Sequence, residues 1–154
     1  MRLLLFIIDD VQYAVRSEAV AEIIRAVAVT PLPNAPPVIE GIIDVRGRIA
    51  PVFDLRLRFG RPSRPVAARD HFILVRATTR LAALHVDRVL DLIDIDDSSI
   101  DPIGSQVSSA HVAGVALLPD GMAFIHDVDT FLSAAEAETL DAALEASAGA
   151  GRSR

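Results

Sequence analysis

Short apolar runs recur along the chain, at residues 3–8, 12–15, 42–46, 48–55, 71–76, 82–86, 112–118 and 122–126. Each is bounded by turn-forming or charged residues, the spacing expected of a small β-barrel or sandwich. The β-branched Ile42, Ile43, Val45, Ile49 and Val52 lie on both sides of Arg46-Gly47, which predicts two strands meeting at a tight turn. Gly47 supplies the positive φ that such a turn needs. Upstream, Thr30-Pro31-Leu32-Pro33-Asn34-Ala35-Pro36-Pro37 is too proline-rich for a helix or a central strand, because each proline lacks an N–H and restricts its neighbour. It predicts a stiff, extended lead-in to the hairpin. Helical periodicity is clear once, near residues 130–146, where Phe131, Leu132, Leu140 and Leu144 mark an apolar stripe. A short helix is expected near residues 17–25, with Ser17 as N-cap and Glu18 in its first turn. Residues 147–154 are small and polar and are expected to be a disordered tail.

A faint internal repeat sharpens this reading. Tyr13-Ala14-Val15-Arg16-Ser17-Glu18-Ala19-Val20-Ala21-Glu22-Ile23-Ile24 parallels Ala82-Ala83-Leu84-His85-Val86-Asp87-Arg88-Val89-Leu90-Asp91-Leu92-Ile93. Gly41, Gly47 and Asp54-Leu55 are echoed by Gly114, Gly121 and Asp127-Val128 at nearly the same offset. Two copies imply two similar β lobes, one over residues 12–65 and one over 70–130, with strand exchange at the N-terminus allowed. The seam is expected near residues 61–69, where arginine and proline break the strand pattern.

Length and composition narrow the function. A chain of 154 residues suits one domain, here residues 1–146, and 51% hydrophobic residues suffice for a core. No apolar run approaches the roughly 20 residues of a membrane span, and Asp9-Asp10 stops the N-terminal run too early for a signal peptide. A cytoplasmic protein without direct membrane insertion is expected. With no cysteine there are no disulfides and no thiolate chemistry. The net charge of −6 is unevenly placed: residues 1–80 hold 12 arginines and 8 acids, residues 81–154 hold 3 arginines and 13 acids. This is either ordinary solvation with an acidic tail or a bipolar molecule whose two ends meet different partners.

Catalytic chemistry is not in evidence. The histidines, His71, His85, His111 and His126, lie far apart without metal-ligand spacing, so no metal and no cofactor is expected. His126-Asp127 is the one arrangement a small hydrolase would exploit, yet no glycine-framed serine accompanies it. Residues 94–101 resemble a calcium loop superficially, but Ser99 stands where glycine is needed and Ser105 where glutamate is needed. Seven aromatic residues, none of them tryptophan, and an acidic total argue against nucleic acid, although residues 46–69 carry seven arginines. The function therefore lies in surfaces.

Several motifs carry a resemblance. An apolar first strand is followed by Tyr13-Ala14-Val15, then Val20-Ala21-Glu22-Ile23, then the lead-in from Val29-Thr30 through Asn34 to Pro36. The most specific is the run from Gly41 to Leu55, GIIDVRGRIAPVFDL, followed by Val86-Asp87-Arg88-Val89 and by MAFIHDVDTFL beginning at Met122. Over residues 2–145 this pattern resembles the CheW family of chemotaxis coupling proteins. Asp44 stands where that family usually has Asn, Val45 where it has Leu, and Ala83 where a Gly is frequent.

The resemblance implies a mainly β fold of two SH3-like, five-stranded β-barrel subdomains sharing a hydrophobic core, with a C-terminal helix. It implies an adaptor, not an enzyme, joining the cytoplasmic tips of chemoreceptors to the regulatory domain of a CheA-type histidine kinase at membrane-associated arrays. The kinase domain is itself CheW-like, so adaptor and kinase can alternate in rings. Coupling in another pathway, such as pilus motility or control of a diguanylate cyclase, is the alternative within the same fold. A receptor helical hairpin is expected in a groove between the lobes, against apolar Val20, Ile23, Ile43, Val89 and Leu92 and polar Glu22, Asp44 and Arg46. Arg46 is expected either to pair with Glu22 or to present its donors to the receptor. Gly41, Gly47, Pro51 and Asp54 are expected to shape the hairpin and its exit.

Overall fold

Strand β1 (Arg2–Ile8) is apolar at six consecutive positions because both of its faces are buried. Side chains alternate along a strand. Leu3 and Leu5 therefore enter one cluster with Ala14, Ala116, Ala123 and Ile125, while Leu4, Phe6 and Ile8 enter another with Ile73, Val75, Leu84 and Val86. The computed structural model describes residues 1–77, 80–101 and 112–152; the His111 and Ser105 of the sequence reading lie outside them.

The remaining strands are β2 (Val11–Arg16), β3 (Val20–Arg25), β4 (Ile39–Val45), β5 (Arg48–Phe53), β6 (His71–Arg76), β7 (Leu81–Val86), β8 (Arg88–Asp94), β9 (Ile100–Asp101), β10 (Val112–Leu118) and β11 (Gly121–His126). They form two sheets, one ordered β8-β1-β2-β11-β10-β9 and one ordered β3-β6-β7-β5-β4. Each wraps round its own interior as an SH3-like barrel. A third and larger cluster lies between them, drawing Phe6, Tyr13 and Val15 from the first sheet and Phe53, Ile73 and Leu84 from the second. One barrel exceeds the expected five strands, because the short β9 adds to β10 through Val115 and Ala116.

The two sheets copy one another. Strands β3, β6, β7, β5 and β4 correspond in order to β8, β1, β2, β11 and β10. In each copy the fourth strand runs parallel to the third, and a bulge interrupts both the first pairing and the outer hairpin. This is the physical content of the internal repeat. The lobes, however, are not consecutive halves. Strands β1 and β2 complete the barrel of β8–β11, while β6 and β7 belong with β3–β5, so lobes at residues 12–65 and 70–130 do not match sheet membership. The stretch 61–69 is a loop within one barrel; the chain crosses between barrels after β2 and after β7.

Three further expectations are corrected. Residues 17–25 are not a helix: a 3-10 turn occupies Ser17–Ala19 and strand β3 follows. Burial alternates along β3 residue by residue, and pairing with the buried β6 outweighs the local capping signal of Ser17 and Glu18. The C-terminal helix starts later and runs further than residues 130–146. Val128–Thr130 form a 3-10 turn, and the α-helix spans Ala134–Arg152. Ser133 and Glu136 set its start as a reciprocal capping box, with N–H to side-chain distances of 3.1 and 2.9 Å. Residues 147–152 are thus helix and not the expected disordered tail, because the alanines at 146, 148 and 150 are strong helix formers that outweigh Gly149 and Gly151. We call this helix α2; α1 is the single turn Leu55–Arg58. Leu140 and Ala143 seat α2 on the shared core, and Arg58–Glu136 and Arg80–Asp141 pairs flank it.

Candidate functional site

The β4–β5 hairpin is a two-residue turn. Val45 pairs with Arg48, and the residues between them, Arg46 at φ +50° and Gly47 at φ +86°, are both left-handed. That geometry matches the twist of the strands but is disfavoured for any residue with a β-carbon. Arg46 is thus held in an uncommon conformation at an exposed tip. Asp44 braces the turn by accepting the Gly47 N–H at 2.7 Å. An asparagine oxygen reaches the same donor, which accounts for the exchange of Asn for Asp without loss of the turn.

From this tip the Arg46 guanidinium reaches β3 and grips Glu22 through both carboxylate oxygens, one at 3.3 Å. The contact holds the Glu22 carboxyl below, and the guanidinium above, their ordinary pKa values. Both side chains stay accessible, Arg46 at 74% and Glu22 at 37%. The two roles weighed for Arg46 are therefore compatible in space: it ties the hairpin to β3 and still presents donors outward.

The apolar candidates divide. Val20 and Val89 are half-buried against the shared core. Ile23 and Leu92 are 41% and 49% exposed. Register gives their direction: Val20 lies opposite Val75, Ile23 opposite Ile73, Val89 opposite Phe6 and Leu92 opposite Leu4. All four partners belong to the cluster between the barrels, so all four candidates lie on the faces that the barrels turn toward each other. Strands β3 and β8 are moreover equivalent edges of the two copies, and the repeat matches Val20 with Val89 and Ile23 with Leu92. Ile43 is corrected: it is 3% exposed inside its own barrel with Val45, Val52 and Phe72, and cannot line a groove. A depression of about 750 Å³, lined by Leu5, Leu90, Leu117 and Asp120 among others, includes none of these candidates.

The residues expected to shape the hairpin do so by identifiable contacts. A β-carbon on Gly41 would stand 2.3 Å from the Thr30 carbonyl oxygen, where the lead-in bridges to β4. Pro51 is buried one residue before the ladder of β5 with β7 begins at Val52, a place where a strand tolerates the missing N–H. Asp54 N-caps α1, accepting from the Leu57 N–H at 3.1 Å and from the Ser63 hydroxyl at 2.5 Å. Its repeat equivalent Asp127 accepts the Asp129 N–H at 3.0 Å. His126 beside it is 3% exposed and stacks on Phe59, ring centres 4.3 Å apart, within a group that includes Tyr13 and Phe131. That arrangement gives the imidazole a packing role.

Sequence reasoning missed a chain of charges beneath the hairpin. Arg56, 2% exposed, pairs with Asp87 and with Asp9, which sits in the β1–β2 turn of the other barrel. Arg64 bridges Asp87 at 2.8 Å to the fully buried Asp70 at 2.7 Å. Asp70 accepts further from the Ala67 N–H and from His85, whose other nitrogen meets Glu40 at 2.9 Å. Burial opposes ionisation of Asp70 and Asp87. Arg64, the Ala67 N–H and His85 outweigh it at Asp70, and the Asp9 N–H and Arg56 outweigh it at Asp87, so both carboxyls lie below their ordinary values. The one visible signal was His85, a polar residue at an inward position of an otherwise apolar strand.

Comparison with known proteins gives these features a context. A family model described as "CheW-like domain" matches residues 2–136. "Chemotaxis protein CheW" of Rhizobium meliloti is 29% identical, over 88% of this chain and 90% of its own. "Protein FrzA" of Myxococcus xanthus is 31% identical, over 71% of this chain and 70% of its own. The crystal structure of the scaffolding protein TtCheW from Thermoanaerobacter tengcongensis superposes with a TM-score of 0.80 at 32% identity, covering 88% of this chain and 94% of that one.

Proposed function

The chain belongs to the CheW-like domain family, and from that premise we propose that it is a chemotaxis scaffold coupling the cytoplasmic tips of chemoreceptors to the regulatory domain of a CheA-type histidine kinase. It acts by contact and not by catalysis, at the cytoplasmic face where receptor tips gather. Among the described residues no helix is long and apolar enough to cross a membrane, so membrane association on this reading comes through the receptor. Similarity to proteins named for chemotaxis and to one named as a scaffold supports the general role.

The observation that carries the receptor assignment is the equivalence of β3 and β8. Each leaves one half-buried valine and one exposed aliphatic residue on the side facing the inter-barrel core. A helical hairpin laid there covers Ile23 and Leu92, contacts Val20 and Val89, and finds Arg46, Glu22 and Asp44 along one margin to fix its register. Pull-down with separate receptor-tip and kinase-domain fragments tests this. The wild-type chain retains both, and Arg46→Ala retains the kinase fragment while losing most of the receptor fragment. Unchanged receptor capture by Arg46→Ala removes this residue from the site, and failure of the wild-type chain to retain either fragment overturns the function.

A further inference from the structure

The strand that leads into the Arg46 turn is an edge of its sheet. Strand β4 closes the order of its sheet, with β5 on one side and, among the described residues, the single Thr30–Ile42 bridge on the other. Ile43 and Val45 pack into the barrel and Arg46 pairs with Glu22 at the far end; a further tie comes from a side chain at the near end. Glu40 is the extra residue of a bulge, since Ile39 pairs with Phe53 and Gly41 already with Val52. Bulges redirect the inserted side chain. Here Glu40 is directed to the Nδ1 of His85 on β7, with both carboxylate oxygens within 3.1 Å.

His85 is 2% exposed and has a carboxylate on each nitrogen, Glu40 at Nδ1 and Asp70 at Nε2, the latter at 2.7 Å. A neutral imidazole has one N–H and would turn a lone pair toward one of these carboxylates; only the imidazolium donates to both. The two contacts are unequal. Asp70 is anchored independently by Arg64 at 2.7 and 2.8 Å and by the Ala67 N–H at 2.8 Å, and Arg64 is held in turn by Asp87 beside Arg56. Among the described residues, no other hydrogen bond reaches the Glu40 carboxylate. Phe72 meets the ring edge-on, and the half-buried His71, whose cross-strand neighbour is Arg25, belongs to the opposite face of β6. When the proton leaves, Glu40 is the partner that lets go.

We propose that His85 is a positioning residue for the Arg46 hairpin, acting through Glu40, and that the proton shared with these carboxylates fastens the N-terminal end of β4 to the barrel. Burial lowers the affinity of the imidazole for its proton, but Glu40 and Asp70 outweigh burial and raise it above the ordinary value. The consequence for receptor coupling rests on the function proposed above; the tie itself does not.

The test is an NMR titration of the full chain through the histidine range, following the His85 ring and the backbone amides of residues 39–48 together. The ring is expected to titrate above about 6.5, the unperturbed value, and the hairpin amides to move with the same midpoint. In Glu40→Gln the ring midpoint falls and the hairpin amides cease to follow it, while amides of β10 and β11 are unchanged. A ring midpoint at or below the unperturbed value, or hairpin amides flat across the His85 transition, overturns the proposal. Because no receptor is present, that result leaves the coupling function to the pull-down.

Discussion

The N–H of Gly47 donates to Asp44 Oδ1 at 2.7 Å, and this one bond closes the left-handed turn that displays Arg46. Its acceptor is an oxygen that aspartate and asparagine share. Asp44→Asn is therefore expected to leave stability unchanged in urea denaturation, whereas Asp44→Ala loses about 1 kcal/mol, the usual net worth of such a bond. An equal loss in both variants would show that the charge, and not the acceptor, braces the turn.

Arg46 and Gly47 respond oppositely to substitution. A β-carbon at position 47 meets no atom within 4 Å, so the cost of Gly47→Ala is conformational and is expected near 1 kcal/mol. Arg46→Gly relieves the left-handed strain while removing the guanidinium. Thermal melting is expected to hold or rise in Arg46→Gly while receptor capture falls. A variant that loses stability as well would mean that the exposed pair with Glu22 holds the barrel more firmly than its accessibility suggests.

Much of this fold could be read locally, and the exceptions share a cause. The hairpin, the lead-in and the Asp54 cap are set by residues within a few positions of one another, and each lies where the pattern put it. The repeat is legible as two lobes with strand exchange allowed at the N-terminus, but not which strands exchange, because β1 and β2 pair with strands about 81 to 111 residues away, whose partnership no local pattern states. Ser17 and Glu18 mimic a helix start, and only the pairing of β3 with β6 overrides them. The resemblance groups Ile43 with the groove residues, but an apolar strand residue can face either side of a two-layered wall, and Ile43 faces the barrel interior. The buried charge chain joins residues 6 to 47 positions apart, so its members looked like ordinary surface charges.

Arg56 is the member whose loss is expected to cost most. It is buried against Asp87 and Asp9, and so links α1, the crossover after β7 and the hairpin of the other barrel. Arg56→Met leaves Asp87 with one arginine fewer and is expected to destabilise the chain by about 3 kcal/mol. Arg56→Met with Asp87→Asn is expected to cost less than the sum of the two, since the charge left behind is gone. Strict additivity in chemical denaturation would show that the two residues do not act as a pair.

The same network bounds stability against pH from both sides. Asp70 and Asp87 have folded pKa values below their unfolded ones, so their contribution is present above about pH 3.9 and is lost as pH falls through the folded values. His85 runs the other way: its folded value is raised, so its contribution is complete below about pH 6.5 and is lost as pH rises through the folded value. Melting temperature is expected to peak between these limits, and His85→Phe is expected to remove the alkaline decline while leaving the acid one. An alkaline decline that persists unchanged in His85→Phe assigns it to another group.

Four aspartate substitutions separate docking from packing at the proposed groove. Ile43→Asp places a carboxylate among Val45, Val52 and Phe72 and is expected to prevent folding, because nothing in that cluster pairs with a charge. Ile23→Asp and Leu92→Asp alter residues already 41% and 49% exposed, so melting is expected to change little. If β3 and β8 grip the same receptor hairpin, each of these two variants weakens receptor capture and neither weakens kinase capture. Val89→Asp lies between the extremes, half-buried on the shared core, and is expected to lose both stability and receptor binding. The informative comparison is Ile23 with Leu92, the equivalent pair. Loss through one and not the other means that the receptor touches a single barrel edge, and the two-edged groove is wrong even if the scaffold function stands.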